Sequence, residues 1–202
     1  MTKKLDTAAA KSLLYGRLAH AMNYPDMDLA SSLVEDRFRR DLMAILPLET
    51  RAVIESLSIY SGGEKEKVLL DLERDYTWMF FASKPRIAYL FGSVYSEGKL
   101  YQESTFEIVR LYHDAGLKVE EAFKLPPDHI AVELEFMAYL AYNEMEAIKA
   151  ANSENEEYAL ELQQKALDKY VSPLARNIGE RVTGGAKTEF YRAIGHILMA
   201  IF

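Results

Sequence analysis

Asp128, His129 and Glu133 are the side chains with the most chemistry to offer, and they fall within one stretch, Lys124-Leu125-Pro126-Pro127-Asp128-His129-Ile130-Ala131-Val132-Glu133-Leu134-Glu135-Phe136-Met137. A carboxylate beside an imidazole is common material for proton transfer. Neighbouring residues on a helix point about 100° apart, however, so this pair does not bond side chain to side chain in regular helix. Each proline holds φ at about −65° and biases the residue before it toward extended backbone, which makes Leu125 and Pro126 linker and starts a helix at Pro127 or Asp128. Asp128 is then expected at the N-cap or in the first turn, facing free N–H groups and the positive end of the dipole, with His129 on the same turn. A structural cap and a ligand contact both fit the pair. Further on, Ile130, Val132, Leu134, Phe136, Met137 and Leu140 make the helix apolar around most of its circumference, and Glu133 and Glu144 fall inside that arc. Both carboxylates are expected to face the interior or a groove, and Glu133 there demands a partner such as Arg, Lys or a ligand cation.

Other catalytic patterns are thin. Gly92-Ser93-Val94-Tyr95-Ser96-Glu97-Gly98-Lys99-Leu100 resembles a phosphate-cradling loop, but it has one residue too many between the glycines and Leu100 where magnesium needs Ser or Thr. None of His20, His113, His129 and His196 lies three residues after a Glu, and no two are spaced as a helical zinc pair. There are no cysteines, which removes thiolate chemistry and disulfides and fits a reducing compartment. Leu69, Leu72, Tyr76, Met79 and Phe80 share one helical face and read as a core stripe. Trp78 falls on the opposite face, and if exposed it would suggest a partner surface.

The elements that must position these residues are helical. Apolar residues recur at threes and fours, and no period-two run is bounded by hairpin signals, so the fold is expected to be all-α. Helices are predicted near 7–23, 27–45, 50–60, 64–81, 100–115, 128–150, 154–171, 173–181 and 187–200, with stops at Pro25, Pro47, Gly62-Gly63, Gly116, Pro173 and Gly184-Gly185. That makes a single helical bundle of roughly nine to ten helices. Residues 82–98 read as a long aromatic-rich loop, packed down or functional. A hinge at 118–128, built on Pro-Pro-Asp-His, is expected to divide an amino-terminal helical group (1–117) from a carboxy-terminal one (129–202).

Half of the 202 residues are apolar, enough for a sizeable core, and no apolar run is long enough for a signal segment or a membrane span. A cytoplasmic soluble protein is the expectation. The net charge of −7 is uneven: from Asp128 to Glu161 there are nine acids against the single base Lys149. Such a field disfavours nucleic acid and anionic lipid and favours cationic ligands, although Glu154, Glu156 and Glu157 also fit a solvated helix face.

Four motifs, Asp75-Tyr76-Thr77-Trp78-Met79-Phe80-Phe81, Phe91-Gly92-Ser93-Val94-Tyr95, Leu111-Tyr112-His113-Asp114-Ala115-Gly116-Leu117 and Pro126-Pro127-Asp128-His129-Ile130 followed by Glu133-Leu134-Glu135-Phe136-Met137, come in the order and spacing of a known family. Across about residues 70–145 the chain resembles the TorD/DmsD/NarJ family of redox enzyme maturation proteins. The resemblance implies an all-helical cytoplasmic chaperone without catalytic activity or a cofactor of its own. Its implied partners are the twin-arginine signal peptide, and often the body, of a molybdopterin oxidoreductase precursor. It places the peptide-binding residues on Tyr76, Met79, Phe80, Phe91, Ser93, Tyr95, Pro127, Asp128, His129 and Glu133. The family usually has Glu before the prolines, where this chain has Leu125. Monomers and domain-swapped dimers both occur in the family, and some members bind GTP weakly, so a GTP-binding switch and a helical scaffold for a folded partner stand as the alternatives.

Overall fold

Among the described residues, 2–118 and 125–202 of a computed structural model, the apolar spacing resolves into eleven α-helices. They are α1 (Thr2–Met22), α2 (Met27–Val34), α3 (Arg37–Ile45), α4 (Arg51–Glu55), α5 (Lys65–Thr77), α6 (Gly92–Glu97), α7 (Glu103–Asp114), α8 (Ile130–Lys149), α9 (Ser153–Ala166), α10 (Ser172–Gly185) and α11 (Glu189–Ile201). The fold is all-α, as expected, with one isolated antiparallel bridge between Phe91 and His129 among the described residues. Residues 119–124, within the expected hinge, lie outside the described residues.

Three expectations need correcting. The predicted helix over 27–45 is two, α2 and α3, because Asp36 turns left-handed at φ 62° and its carboxylate takes both Arg39 Nε and Nη2 at 2.7 Å and Ser61 Oγ at 3.0 Å. Residues 82–98 are not all loop, since they contain α6. Pro173 does not stop a helix. A π-helical turn over Leu167–Val171 carries α9 into α10, and Pro173 follows directly after this turn, as the second residue of α10.

The compact units are drawn along other lines than the two groups read in chain order. One comprises Met1–Ala19 with Phe91–Leu174, the other His20–Leu90 with Ala175–Phe202. In the first, α8 and α9 pack together, and Lys11 and Ser12 of α1 tie to α8 through Glu144 (2.7 Å) and the Ala138 carbonyl (3.1 Å). Glu144 also accepts from Gln163 Nε2 at 2.8 Å, which supplies the partners its burial requires.

The second unit has an aromatic core of Phe38, Tyr76, Phe80, Phe190 and Tyr191, with the Tyr76 and Phe80 rings 4.7 Å apart and edge-on. Here α10 and α11 meet on glycines. A Cβ on Gly195 would stand 2.5 Å from Thr183 Oγ1, 2.9 Å from Thr183 N and 3.0 Å from the Gly179 carbonyl. Backbone cannot yield as a side-chain tip can, so Gly195→Ala is expected to cost about 3 kcal/mol. Gly16, inside α1, has open space around its Cα, and Gly16→Ala is expected to gain about 0.5 to 1 kcal/mol. Urea unfolding of both variants checks the pair; equal effects would contradict the described crossing.

Candidate functional site

The residues singled out in sequence divide between the two units. Tyr76, Met79 and Phe80 belong to the second and are all buried, as a core stripe requires. Phe91, Ser93, Tyr95, Pro127, Asp128, His129 and Glu133 belong to the first, where Phe91, Ser93, Asp128, His129 and Glu133 meet and Tyr95 lies on the same short helix as Ser93.

The cluster is built at the starts of two helices. Asp128 does not cap α8. The N-cap is His129, in extended conformation at φ −75° and ψ 134°, and its Nδ1 accepts the Ala131 N–H at 3.1 Å. Acceptance at Nδ1 requires a neutral ring with the proton on Nε2. Burial lowers the imidazole to about 4, an effect that the neighbouring Asp128 carboxylate opposes without cancelling. Freed from capping α8, Asp128 reaches α6 instead. Its Oδ2 accepts the Ser93 N–H at 2.8 Å and its carbonyl accepts the Gly92 N–H at 3.0 Å. The Phe91 and His129 rings complete the junction edge to face at 5.2 Å, and Tyr112 donates its hydroxyl to the Pro127 carbonyl at 2.8 Å.

Two of the sequence motifs are therefore partners of each other. Asp128 and His129 are the clamp, and Phe91-Gly92-Ser93 is the segment held. Asp128, His129 and Ser93 are buried, whereas Phe91, Tyr95 and Pro127 are half-buried and present apolar surface.

Glu133, in the first turn of α8, is 1% exposed. Burial, and secondarily the charge on Asp128, pushes its carboxyl well above the usual range and favours the protonated form. One face of it packs beside Gly92, where a Cβ would lie 3.6 Å from Oε1. Glu133 Oε2, Asp128 Oδ1 and Ser93 Oγ have no hydrogen-bond partner among the described residues. Glu133 thus differs from Glu144, which found its lysine: burial pushes one acid toward its neutral form, while the other is paired.

Among the described residues, no three His, Cys, Asp or Glu side chains gather as a metal would need. The glycine-flanked segment that resembles a phosphate loop is helix α6, ended by Gly98 at φ 77°, and its Gly92 and Ser93 N–H groups are occupied by Asp128. The other acids are less concentrated than their sequence suggests. Glu146 pairs with Lys149 at 2.8 Å and Glu156 with Lys4 at 2.6 Å, while Glu154, Glu157 and Glu161 lie exposed on α9. A concavity of about 430 Å³ lies between α8 and α9, with Leu140, Ala147 and Leu162 among its apolar lining and Glu146 and Tyr158 among its polar one. It was not foreseen, because its walls are alanines and asparagines with no motif to mark them.

The family model described as nitrate reductase delta subunit matches residues 44–178. The chain belongs to that family. The group includes the TorD and NarJ proteins, so the resemblance in the four motifs is confirmed. Chaperone protein TorD of Vibrio cholerae serotype O1 (Classical Ogawa 395) is 26% identical over 156 residues, 77% of this chain and 69% of that one. TorD of Shewanella sp. ANA-3 is 27% identical over 105 residues, 50% of each. A solved archaeal protein assigned to redox enzyme maturation, from Archaeoglobus fulgidus, shares the fold at a TM-score of 0.57 and 20% identity, covering 94% of this chain and 91% of that one. These relatives are named as chaperones or maturation proteins, not as catalysts. Among the described residues no helix is long and apolar enough to cross a membrane.

Proposed function

We propose that this chain is a redox-enzyme maturation chaperone that acts in the cytoplasm, binding the twin-arginine leader of a molybdopterin oxidoreductase precursor and delaying its export until the cofactor is in place. The observation that carries the proposal is the locked junction itself: two buried ionisable residues, Asp128 and His129, hold a turn whose half-buried Phe91, with Tyr95 and Pro127, offers preformed apolar contact. A turn fixed in advance loses little entropy on binding. The leader is a pair of guanidinium groups followed by an apolar stretch, which suits aromatic surface within an acidic unit.

Burial supports a division of the remaining roles. Asp128, His129, Ser93 and Glu133 position the turn rather than touch the peptide, and Tyr76, Met79 and Phe80 support the core of the other unit. Exposed Glu154, Glu157 and Glu161 draw in the guanidinium pair. Exposed ion pairs contribute at most about 1 kcal/mol each, so apolar burial supplies most of an affinity on the order of micromolar, and the acids set on-rate and salt dependence.

Titration calorimetry with a synthetic leader is the test. Phe91→Ala is expected to weaken binding about tenfold, the loss from one aromatic contact of about 1.4 kcal/mol. Replacing the arginine pair by alanines should flatten the salt dependence more than it lowers affinity. An affinity indifferent to the leader's apolar stretch would refute the division of labour. A nucleotide switch is the weaker alternative, because the Gly92 and Ser93 N–H groups that could cradle phosphate are already engaged by Asp128.

A further inference from the structure

Trp78, Phe81 and Tyr89 are 38%, 53% and 37% exposed, on the opposite side of the chain from the buried Met79 and Phe80. Trp78 and Phe81 lie on the π-helical turn over Trp78–Ala82 that ends α5, and Tyr89 follows in the segment after it. Two cations lie over these rings. The Arg86 guanidinium is 5.1 Å from the Tyr89 ring centre and 5.9 Å from that of Phe81, and Lys187 Nζ is 3.9 Å from that of Trp78. One local framework joins the parts: Ser83 Oγ accepts the Ile87 N–H at 3.0 Å, Ile87 packs against Gly185 at the end of α10, and Lys187 follows two residues later.

The charge of this face is opposite to that of the molecule. From Tyr76 to Ser96 the only charged residues are Lys84 and Arg86, in a chain of net charge −7. The adjacent carboxylate, Asp75, is buried and wholly engaged with Lys187 N, Thr188 N and Thr188 Oγ1. Lys84, Arg86 and Lys187 are exposed and have no carboxylate partner among the described residues.

We propose that this face of Trp78, Phe81, Tyr89, Arg86 and Lys187 docks an acidic, leucine- or aromatic-bearing stretch of a protein partner. A guanidinium stacked on rings is held in orientation while its N–H edge remains open to a carboxylate, which it can grip with two parallel bonds. The exposed rings between the cations bury apolar side chains. A cationic leader is repelled by the same groups, so this surface takes a different ligand from the one under Proposed function and does not depend on it.

Trp78 is the chain's single tryptophan, so its fluorescence reports directly on this face. The full chain is titrated with a synthetic amphipathic peptide of alternating Glu and Leu/Phe content, with a Lys-for-Glu counterpart as control. The acidic peptide is expected to shift Trp78 emission to shorter wavelength and protect it from acrylamide, and the basic one is not. The double charge reversal Arg86→Glu with Lys187→Glu is expected to weaken acidic-peptide binding at least about tenfold, as two exposed ion pairs of about 1 kcal/mol imply, with leader affinity kept. The neutral pair Arg86→Gln with Lys187→Gln serves if the reversal unfolds the chain. Unchanged Trp78 emission on adding the acidic peptide, or undiminished binding to a folded variant, would overturn the proposal whether or not the leader binds.

Discussion

Asp75→Ala is expected to cost about 4 kcal/mol and to lower the melting temperature by on the order of 10 °C, measured by far-UV circular dichroism. Asp75 lies near the end of α5 and is 2% exposed. Its carboxylate collects Lys187 N at 3.0 Å on each oxygen, and Thr188 N and Thr188 Oγ1 at 2.7 Å on Oδ2. These donors belong to the entry of α11, where a helix has N–H groups without intrahelical partners and a positive dipole end. Helix α11 in turn buries Phe190, Tyr191, Ile194 and Ile197 completely, so its start and the aromatic core are fastened by one side chain. Removing the carboxylate strips the acceptor from three part-buried donors at once. Asp75→Asn keeps an acceptor oxygen and should cost about half as much. A melt of Asp75→Ala within two or three degrees of the parent, on the order of 1 kcal/mol, would mean that α11 is held by packing alone.

Stability is expected to fall toward both acid and alkali, with the two slopes removable one at a time. His129 is lowered to about 4, so the folded state binds its proton more weakly than the unfolded chain does. Its stabilising contribution is present above the ordinary imidazole value of about 6.5 and is lost as pH falls toward 4, amounting to about 3 kcal/mol. Glu133 has the opposite sign. Its folded form holds the proton more tightly, so its contribution is present below about 4.5 and is lost as pH rises through the raised value. Asp128 shares the same interior, and its charge adds to the cost of ionising Glu133 there. Melting temperatures measured between about pH 4 and pH 9 should show His129→Asn, which keeps a capping oxygen, losing the acid slope. Glu133→Gln should lose the alkaline slope and exceed the parent at the alkaline end of the range. If the Glu133→Gln profile parallels the parent's on the alkaline side, the buried acid is not what titrates.

The parts that were legible in the sequence rest on local pattern. Spacing of apolar residues placed the long helices to within a few residues, and the inward aim of Glu133 and Glu144 followed from their positions on the α8 wheel. The outward face of Trp78 followed in the same way. What was not legible depends on partners distant along the chain. Helix α6 is six residues long, too short to hold itself, and is started by a carboxylate 35 positions away. The same contact explains why Asp128 is not the cap of α8, because a side chain engaged with Ser93 leaves that task to His129. Asp75 meets α11 across 112 positions, which no window on the sequence can see.

The motifs that marked the family were legible as a set, but their relation was not. Phe91-Gly92-Ser93 and Pro127-Asp128-His129 read separately as a loop and a hinge, and they prove to be two sides of one junction. Burial then changes which residues can touch a ligand. Phe91, Tyr95 and Pro127 have surface to offer, while the titratable residues beside them have almost none.

Site-directed photocrosslinking tests that junction as the leader's seat most directly. With benzoylphenylalanine in place of Phe91 or Tyr95, illumination in the presence of a labelled twin-arginine leader should give an adduct that excess unlabelled leader suppresses, while the same group in place of Ile59, 73% exposed in the other unit, should give none. Equal capture from all three positions, or capture from Ile59 alone, would contradict the proposed site.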